Sequence, residues 1–374
     1  MQNMSLNRCL CLPLAVVALA AGADETADAR TRTWVSPVRV VWSTNATDAA
    51  LLLGPRHGQI PEGRFLVGSG CTLARKEGAP SAVLLDFGRE LHGGIQIGSG
   101  WSEGRNRVRV RFGESVGEAM AEPGFKGCQN DHAIRDQELE LPRLGQFEYG
   151  NTGFRFVRID ALSEGPISIQ FARAVSLMRP MARVGGFRCS DDRVNRIFET
   201  AVRTAHLCSQ DYLWDGIKRD RLVWQGDMHP EVATLLAVFG GTPVIRQSLD
   251  FMIATTSTDG WMNNKPSYTM WWILCLRDDW MTTGDLGFVR RHADYFRDTV
   301  LHLCAAVKDG GDWCFSGFEQ GFLDWPTEHN RPAVMAGMRG LYVWSLSAAA
   351  ELARALDDRP TVAACDAAGR DAAS

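Results

Sequence analysis

The residue types best suited to chemistry are concentrated between Asp211 and Asp227. These seventeen positions hold four carboxylates, three basic side chains and two tryptophans. Carboxylates beside indoles suit the cleavage of a sugar, because one acid must protonate the glycosidic oxygen while indole faces stack on apolar sugar faces. A charged surface loop whose arginines pair with its own aspartates has the same composition. The residues alone leave both interpretations open.

The chain before this segment predicts an antiparallel β-sandwich, which we place at residues 30–182. Residues 107–112 alternate basic and apolar side chains, which puts one face of a strand in water and the other on a core. Short stretches of this kind recur between Gly, Pro, Asn and Asp residues, as in a sandwich. The pair Gly93-Gly94 predicts a hairpin between two of them.

From residue 183 to residue 374 the apolar spacing becomes that of helices, with Ser190 or Asp191 as the first N-cap. A long aromatic loop at 308–330 interrupts them, and long ordered loops commonly carry function. The six predicted helices pair into hairpins, and a seventh begins at Thr361, so we expect a ring of hairpins that stops partway, as in a truncated chain. The six helices are 190–208, 229–240, 242–255, 268–283, 285–307 and 332–356.

The first 23 residues predict a signal peptide. Arg8 precedes an apolar run from Cys9 to Ala21, and small residues around Ala20 and Ala23 suit cleavage there. A buried N-terminal helix is the alternative. Export would end in the periplasm or outside the cell, and no lipobox-like cysteine follows the run to anchor the chain in a membrane.

Composition argues against several classes of function. The net charge of −4 and the lack of a long basic run give no footprint for nucleic acid. The eight cysteines after the apolar run are scattered, without metal-like spacing to histidine. His229 therefore predicts a capping or packing residue, and we expect neither a metal nor a cofactor.

The string DGIKRDRLVWQGDMHPE at residues 215–231 resembles the signature of glycoside hydrolase family 78, the bacterial α-L-rhamnosidases. Shorter matches occur, in unbroken order, at residues 83–90 (VLLDFGRE), 187–191 (FRCSD) and 322–326 (FLDWP). The resemblance implies a β-sandwich followed by an (α/α)6 toroid, of which this chain would hold about six of twelve helices. It also implies inverting hydrolysis of glycosides that carry a terminal rhamnose.

Roles carried over by position make Asp220 the general acid, where the family usually has Glu. Trp272 is a looser match than the other positions, and Trp271 or simple core packing are the alternatives there. The resemblance implies substrate contacts at Asp215, Arg219, Trp224, Asp227, Trp272 and Trp325.

The resemblance also implies a catalytic base, a Glu in the second half of the barrel and beyond the end of this chain. Inversion needs that base roughly 6.5–9.5 Å from the acid, on the opposite face of the sugar. Glu319 and Glu328 lie in the long loop, but nothing in the sequence positions them for this task. Two further hypotheses therefore stand beside a rhamnosidase: a non-catalytic glycan-binding remnant, and a half-toroid that does not fold alone. The sequence leaves the natural glycan and the oligomeric state open.

Overall fold

The computed structural model describes residues 28–54, 70–76, 79–102, 104–124, 135–306 and 321–373. The predicted signal peptide at residues 1–23 lies outside these ranges, and so does Glu319. Within these ranges no helix has the length and apolar character needed to span a membrane.

The first half of the described chain is an antiparallel β domain. Its strands form one connected sheet in the order β3-β4-β9-β5-β8-β6-β7, with β1 added to β9 and β2 added to β5. The strands found in the described residues are β1 (Thr31–Val35), β2 (Arg39–Thr44), β3 (Ala46–Thr47), β4 (Cys71–Arg75), β5 (Ala82–Ser99), β6 (Asn106–Gly113), β7 (Asp136–Leu141), β8 (Gly145–Ala161) and β9 (Gly165–Met178).

Strand β5 pairs with different neighbours along its length. Its first residues pair with β2 and its last residues pair with β9, and its register on β8 shifts twice between them. The predicted hairpin at Gly93-Gly94 is therefore wrong, because both glycines lie inside one continuous strand. They permit close packing instead, since a Cβ at Gly93 would stand 2.0 Å from the Val175 carbonyl oxygen.

Strand β6 confirms most of the predicted alternation. Val108, Val110 and Phe112 are fully buried in the core of the β domain. Arg111 departs from the pattern, because it is only 3% exposed although the alternation predicts that it faces water. Its guanidinium lies 3.0 Å from a carboxylate oxygen of Glu122, and a buried guanidinium is tolerated where carboxylates compensate its charge.

The second half is helical, and the predicted helices are found with shifted ends, except that the helix predicted at 285–307 is divided into two helices at His292. Helix α3 begins at Gln225 rather than 229, because Gly226 continues the helix beneath the Tyr268 ring, which a Cβ at Gly226 would meet at 2.1 Å. The bounds are α1 (Val116–Met120, within the β domain), α2 (Asp192–Cys208), α3 (Gln225–Phe239), α4 (Pro243–Thr255), α5 (Pro266–Thr283), α6 (Gly287–Arg291), α7 (Ala293–Cys304), α8 (Arg331–Ala355) and α9 (Arg359–Ala373).

The helices pack as an open row of hairpins. Helix α5 packs between α3 and α8, while α2 packs on α3 and α9 packs on α8. The shared core is apolar and includes the fully buried Trp272 and Tyr342. The predicted fold class, a β domain followed by a partial helical toroid, is confirmed.

Candidate active site

The signature string begins in the irregular connection between α2 and α3 and continues into the first turns of α3. Its entry is fixed by the Leu213 amide, which donates to Ser248 Oγ of α4 at 2.8 Å. Residues 215–222 then form a closed turn, because the Asp215 amide donates to the Leu222 carbonyl at 3.1 Å and the Leu222 amide donates to Asp215 Oδ1 at 3.0 Å. We call residues 215–222 the acid turn. Asp215 therefore shapes the turn as well as carrying a charge.

Asp220 stands near the end of the acid turn. The indole Nε1 of Trp224 donates to Asp220 Oδ2 at 3.2 Å, so the tryptophan at the start of α3 orients this carboxylate. The Asp220 side chain is 18% exposed, and Arg219 Nε lies 3.6 Å from its other oxygen. Arg219 itself is 77% exposed, which leaves most of its guanidinium available to a ligand.

The structure brings the predicted carboxylates within electrostatic range of one another. Burial and, to a smaller extent, the negative charges of Asp215, Asp324 and Asp220 together raise the pKa of Asp227 to about 6. The pKa of Asp215 is also raised, mainly by burial, against the opposing hydrogen bond from the Leu222 amide. Asp324 comes from the FLDWP motif, nearly one hundred residues away along the chain. Such crowding of carboxylates is typical of sites that handle protons or bind hydroxyl groups.

Glu231 joins this group, although no role was predicted for it. It lies one turn after Asp227 on α3, which puts both side chains on the same face of the helix. Burial raises the pKa of Glu231 to about 8, with smaller contributions from the charges of Asp227 and Asp215. Within the described ranges, its Oε2 has no hydrogen-bond partner. Two signals in the sequence pointed to Glu231, its i, i+4 spacing from Asp227 and its position as the last residue of the signature string.

Aromatic rings and one cation form a wall beside Trp224. Lys265 Nζ lies 5.6 Å from the centroid of the Trp224 ring and 5.6 Å from that of Phe322. The Phe322 ring meets Trp325 edge-on at 5.2 Å, and Trp325 is 69% exposed. Tyr268 completes the wall, with its ring 5.5 Å from Lys265 Nζ. Lys265 and Tyr268 were missed because they lie outside all the matched motifs, and Phe322 was missed although it opens the FLDWP match.

Trp272 does not join this wall. It is fully buried and packs edge-on against Tyr295 at 5.7 Å, so its ring faces belong to the core, as the packing alternative had it. The neighbouring Trp271 is partly exposed and lies 4.9 Å from the ring of His229. His229 is a packing residue, with Nε2 3.3 Å from Asp278.

Two further predictions concern Glu328 and the expected absence of a metal site. Glu328 is partly buried at the end of the short Trp325–Thr327 helix, and its amide donates to the Trp325 carbonyl at 3.2 Å. Among the residues with described positions, no cluster of three His, Cys, Asp or Glu side chains could hold a metal ion. The described residues of the site offer a ligand carboxylates, indoles and two cations, Arg219 and Lys265.

Solved structures share this fold. A rhamnosidase from Klebsiella oxytoca with rhamnose bound superposes with a TM-score of 0.67 at 18% identity, over 91% of this chain and 70% of that one. A family 78 rhamnosidase of Bacillus sp. GL1 gives a TM-score of 0.70 at 20% identity, over 87% of this chain and 33% of that one. A Streptomyces avermitilis α-L-rhamnosidase complexed with L-rhamnose gives 0.58 at 14% identity, over 81% and 31%.

The chain spans about a third of the length of the Bacillus and Streptomyces proteins. No curated protein sequence matches it. The family model of the bacterial alpha-L-rhamnosidase 6 hairpin glycosidase domain matches residues 182–371, which is just over half of the chain. The protein is thus glycosidase-like and belongs to the family of the bacterial α-L-rhamnosidase six-hairpin glycosidase domain.

Proposed function

We propose that the protein hydrolyses terminal α-L-rhamnosides with inversion of configuration and that Asp220 is its general acid. The observation that carries this proposal is the convergence of Asp215, Asp220 and Asp227 beside the indoles of Trp224 and Trp325. Of the three carboxylates, Asp220 is the one that an indole N–H orients. A general acid must be held at hydrogen-bond distance from the glycosidic oxygen, and an oriented carboxyl meets that need.

The remaining groups would bind the sugar. Asp215 and Asp227 would accept hydrogen bonds from ring hydroxyls, and Arg219, mostly exposed, would donate to them. Trp224 and the exposed Trp325 would stack on the apolar faces of rhamnose, whose C6 is a methyl group. Trp272 is left to the core in this proposal, since its ring is fully buried.

Inversion also requires a base that activates water on the opposite face of the sugar. We propose that the base comes from outside the described residues. Glu231 is a poor base at neutral pH, because its raised pKa of about 8 keeps it protonated. We further propose that residues 30–182 and 183–374 are the two domains, and that residues 1–23 direct export to the periplasm or the medium.

Rhamnose release from methyl α-L-rhamnoside, whose leaving group must be protonated, tests the proposal. Asp220→Ala should lower kcat by about 100- to 10,000-fold, the usual contribution of general acid catalysis. Asp298→Ala removes a half-exposed carboxylate on α7 and serves as the matched control. Equal rates for wild type and Asp220→Ala would remove Asp220 from the mechanism.

Two further measurements distinguish hydrolysis from simple binding. Proton NMR of the reaction should show β-L-rhamnose as the first product, and α-L-rhamnose first would refute inversion. Calorimetric binding of rhamnose without any product over a long incubation would favour a non-catalytic glycan-binding protein. That alternative is favoured by the lack of an assigned base among the residues with described positions.

A further inference from the structure

The acid turn has a second face, which lies on the β domain. Residues on both sides of Asp220 make contacts there, so the turn is held between the two halves of the molecule. Ile217 packs against Gly153 of β8, and a Cβ added to Gly153 would lie 2.8 Å from Ile217 Cγ1. The guanidinium of Arg221 donates to the Asn151 carbonyl. Trp214, just before the turn, packs edge-on against His92 with the ring centroids 5.3 Å apart.

Lys218 makes the charged contact on this face. Its Nζ contacts the carboxylate of Glu118 in α1 and lies 3.8 Å from Glu114 Oε2. The side chains of Lys218 and Glu118 are 15% and 20% exposed. A pair so far removed from water is screened less than a surface pair, and breaking it leaves a poorly solvated charge.

Glu118 is fixed by its own helix before Lys218 reaches it. Ser115 caps α1, and its Oγ accepts from the Glu118 amide at 3.1 Å. In return, Glu118 Oε2 accepts from the Glu114 amide at 2.8 Å, which completes a reciprocal cap of the helix start. The other oxygen, Oε1, meets Lys218. The β domain therefore offers a preset anchor.

Glu90 of β5 adds a third carboxyl, and we call Glu90, Glu114 and Glu118 the acid clamp. The pKa of Glu90 is raised to about 8, mainly by burial, with a further rise from the charge of Glu114 and an opposing effect from the charge of Lys218. Without the ammonium of Lys218, the crowded carboxyls would have to take up protons or move apart. Either response would alter the surface on which the acid turn lies.

We infer that Lys218 is a positioning residue that ties the acid turn to the acid clamp of the β domain and thereby sets the place of the Asp220 carboxyl. The inference rests on the proposed function, in which Asp220 is the general acid. Lys218 acts through the backbone of the turn, because only Arg219 separates it from Asp220 and its own ammonium is engaged by Glu118. A displacement of about 1 Å at a catalytic group can cost on the order of 100-fold in rate.

The test compares Lys218→Met with Lys76→Met, a control that removes an exposed lysine from the same β domain. Two substrates are used: 2,4-dinitrophenyl α-L-rhamnoside, whose leaving group needs little protonation, and methyl α-L-rhamnoside, whose leaving group needs it fully. Lys218→Met should lower kcat on the methyl glycoside by about 10- to 100-fold, with a much smaller loss on the dinitrophenyl glycoside and little change in KM. Equal losses on both substrates would overturn the inference, because general loosening slows both.

Amide hydrogen exchange of residues 214–224 gives a readout that does not depend on turnover. Lys218→Met should speed exchange by about 10-fold, corresponding to easier local opening, whereas Lys76→Met should not. Glu118→Gln should copy the effect, and the charge swap Lys218→Glu with Glu118→Lys should restore part of the protection. Unchanged exchange in Lys218→Met would overturn the inference. Faster exchange in a protein that hydrolyses no rhamnoside would refute the proposed function and leave the positioning role standing.

Discussion

Two crowded groups of carboxyls lie on opposite faces of the same turn, and they differ in how their charge is compensated. In the acid clamp, the charge of Lys218 opposes the rise in the pKa of Glu90. On the other face, the charges that act on Asp227 and Glu231 are all negative. A compensated cluster suits a structural anchor, whereas an uncompensated one is primed to take up protons or to bind hydroxyl groups. We therefore assign a structural role to the acid clamp and a role in binding or catalysis to the carboxyls of Asp227 and Glu231.

The largest effect expected from this comparison is on sugar binding at the face that carries Asp227 and Glu231. Asp227→Ala should weaken rhamnose binding by about 10- to 100-fold, because it removes a charged hydrogen-bond acceptor. Glu114→Ala removes a half-exposed carboxylate of the acid clamp and should cost at most about 5-fold. Titration calorimetry with rhamnose measures both. Similar losses in the two variants would erase the distinction between the two faces.

A smaller effect is expected where the turn meets β8. Gly153→Ala should destabilise the protein by about 1 kcal/mol, at the low end of overpacking costs, because the new Cβ forces Ile217 to move. Gly104→Ala is the control, since a Cβ there meets nothing within 4 Å. Urea unfolding followed by fluorescence measures both changes. A Gly153→Ala protein as stable as Gly104→Ala would mean that the turn does not press on the β domain.

The smallest expected effect is a pH dependence of stability. Because the folded-state pKa of Glu231 and of Glu90 is raised to about 8, folding favours their protonated forms. Each contributes stability that is complete below the unfolded pKa near 4.5 and is lost as the pH rises through about 8. Glu231→Gln should therefore raise Tm relative to wild type by about 2–4 °C at pH 8.5, with no gain at pH 4.5.

The comparison between the faces sharpens this prediction. Lys218→Met should enlarge the gain from Glu90→Gln at high pH and leave the gain from Glu231→Gln unchanged, because the charge of Lys218 favours the ionised form of Glu90. Thermal melts from pH 4.5 to 8.5 supply the comparison, with Asp298→Asn as a control for the loss of a surface carboxylate. An equal gain from Glu90→Gln with and without Lys218 would contradict the assignment of Lys218 as the compensating charge.

The sequence allowed much of the site to be predicted because one contiguous string carries it. Asp215, Asp220, Trp224 and Asp227 fall within thirteen consecutive positions, so a closed turn alone suffices to gather them. The roles of Lys265, which lies outside the string, and of Glu231, its last residue, could not be predicted in the same way. Their place at the site depends on how α5 packs on α3 and on which face of α3 is buried, and these are tertiary properties.

Helix α5 shows a second reason why some site residues could not be assigned from the sequence. Its sequence around Trp271 and Trp272 is apolar on every side, so helical periodicity does not indicate which indole faces the core. The fold class was easier to predict, because alternation and helical spacing are local patterns. The continuous strand through Gly93-Gly94 and the buried Arg111 were not predictable, since register and ion pairing across strands decide them.

The contact between β8 and the acid turn has an evolutionary consequence. Asn151 and Gly153 are outside the proposed saccharide pocket, yet they limit where the turn above them can rest. Substitutions in this strand could shift glycoside preference while every sugar-contacting residue stays the same. Searches for variants with altered selectivity would then need to include a layer of the protein that the substrate never touches.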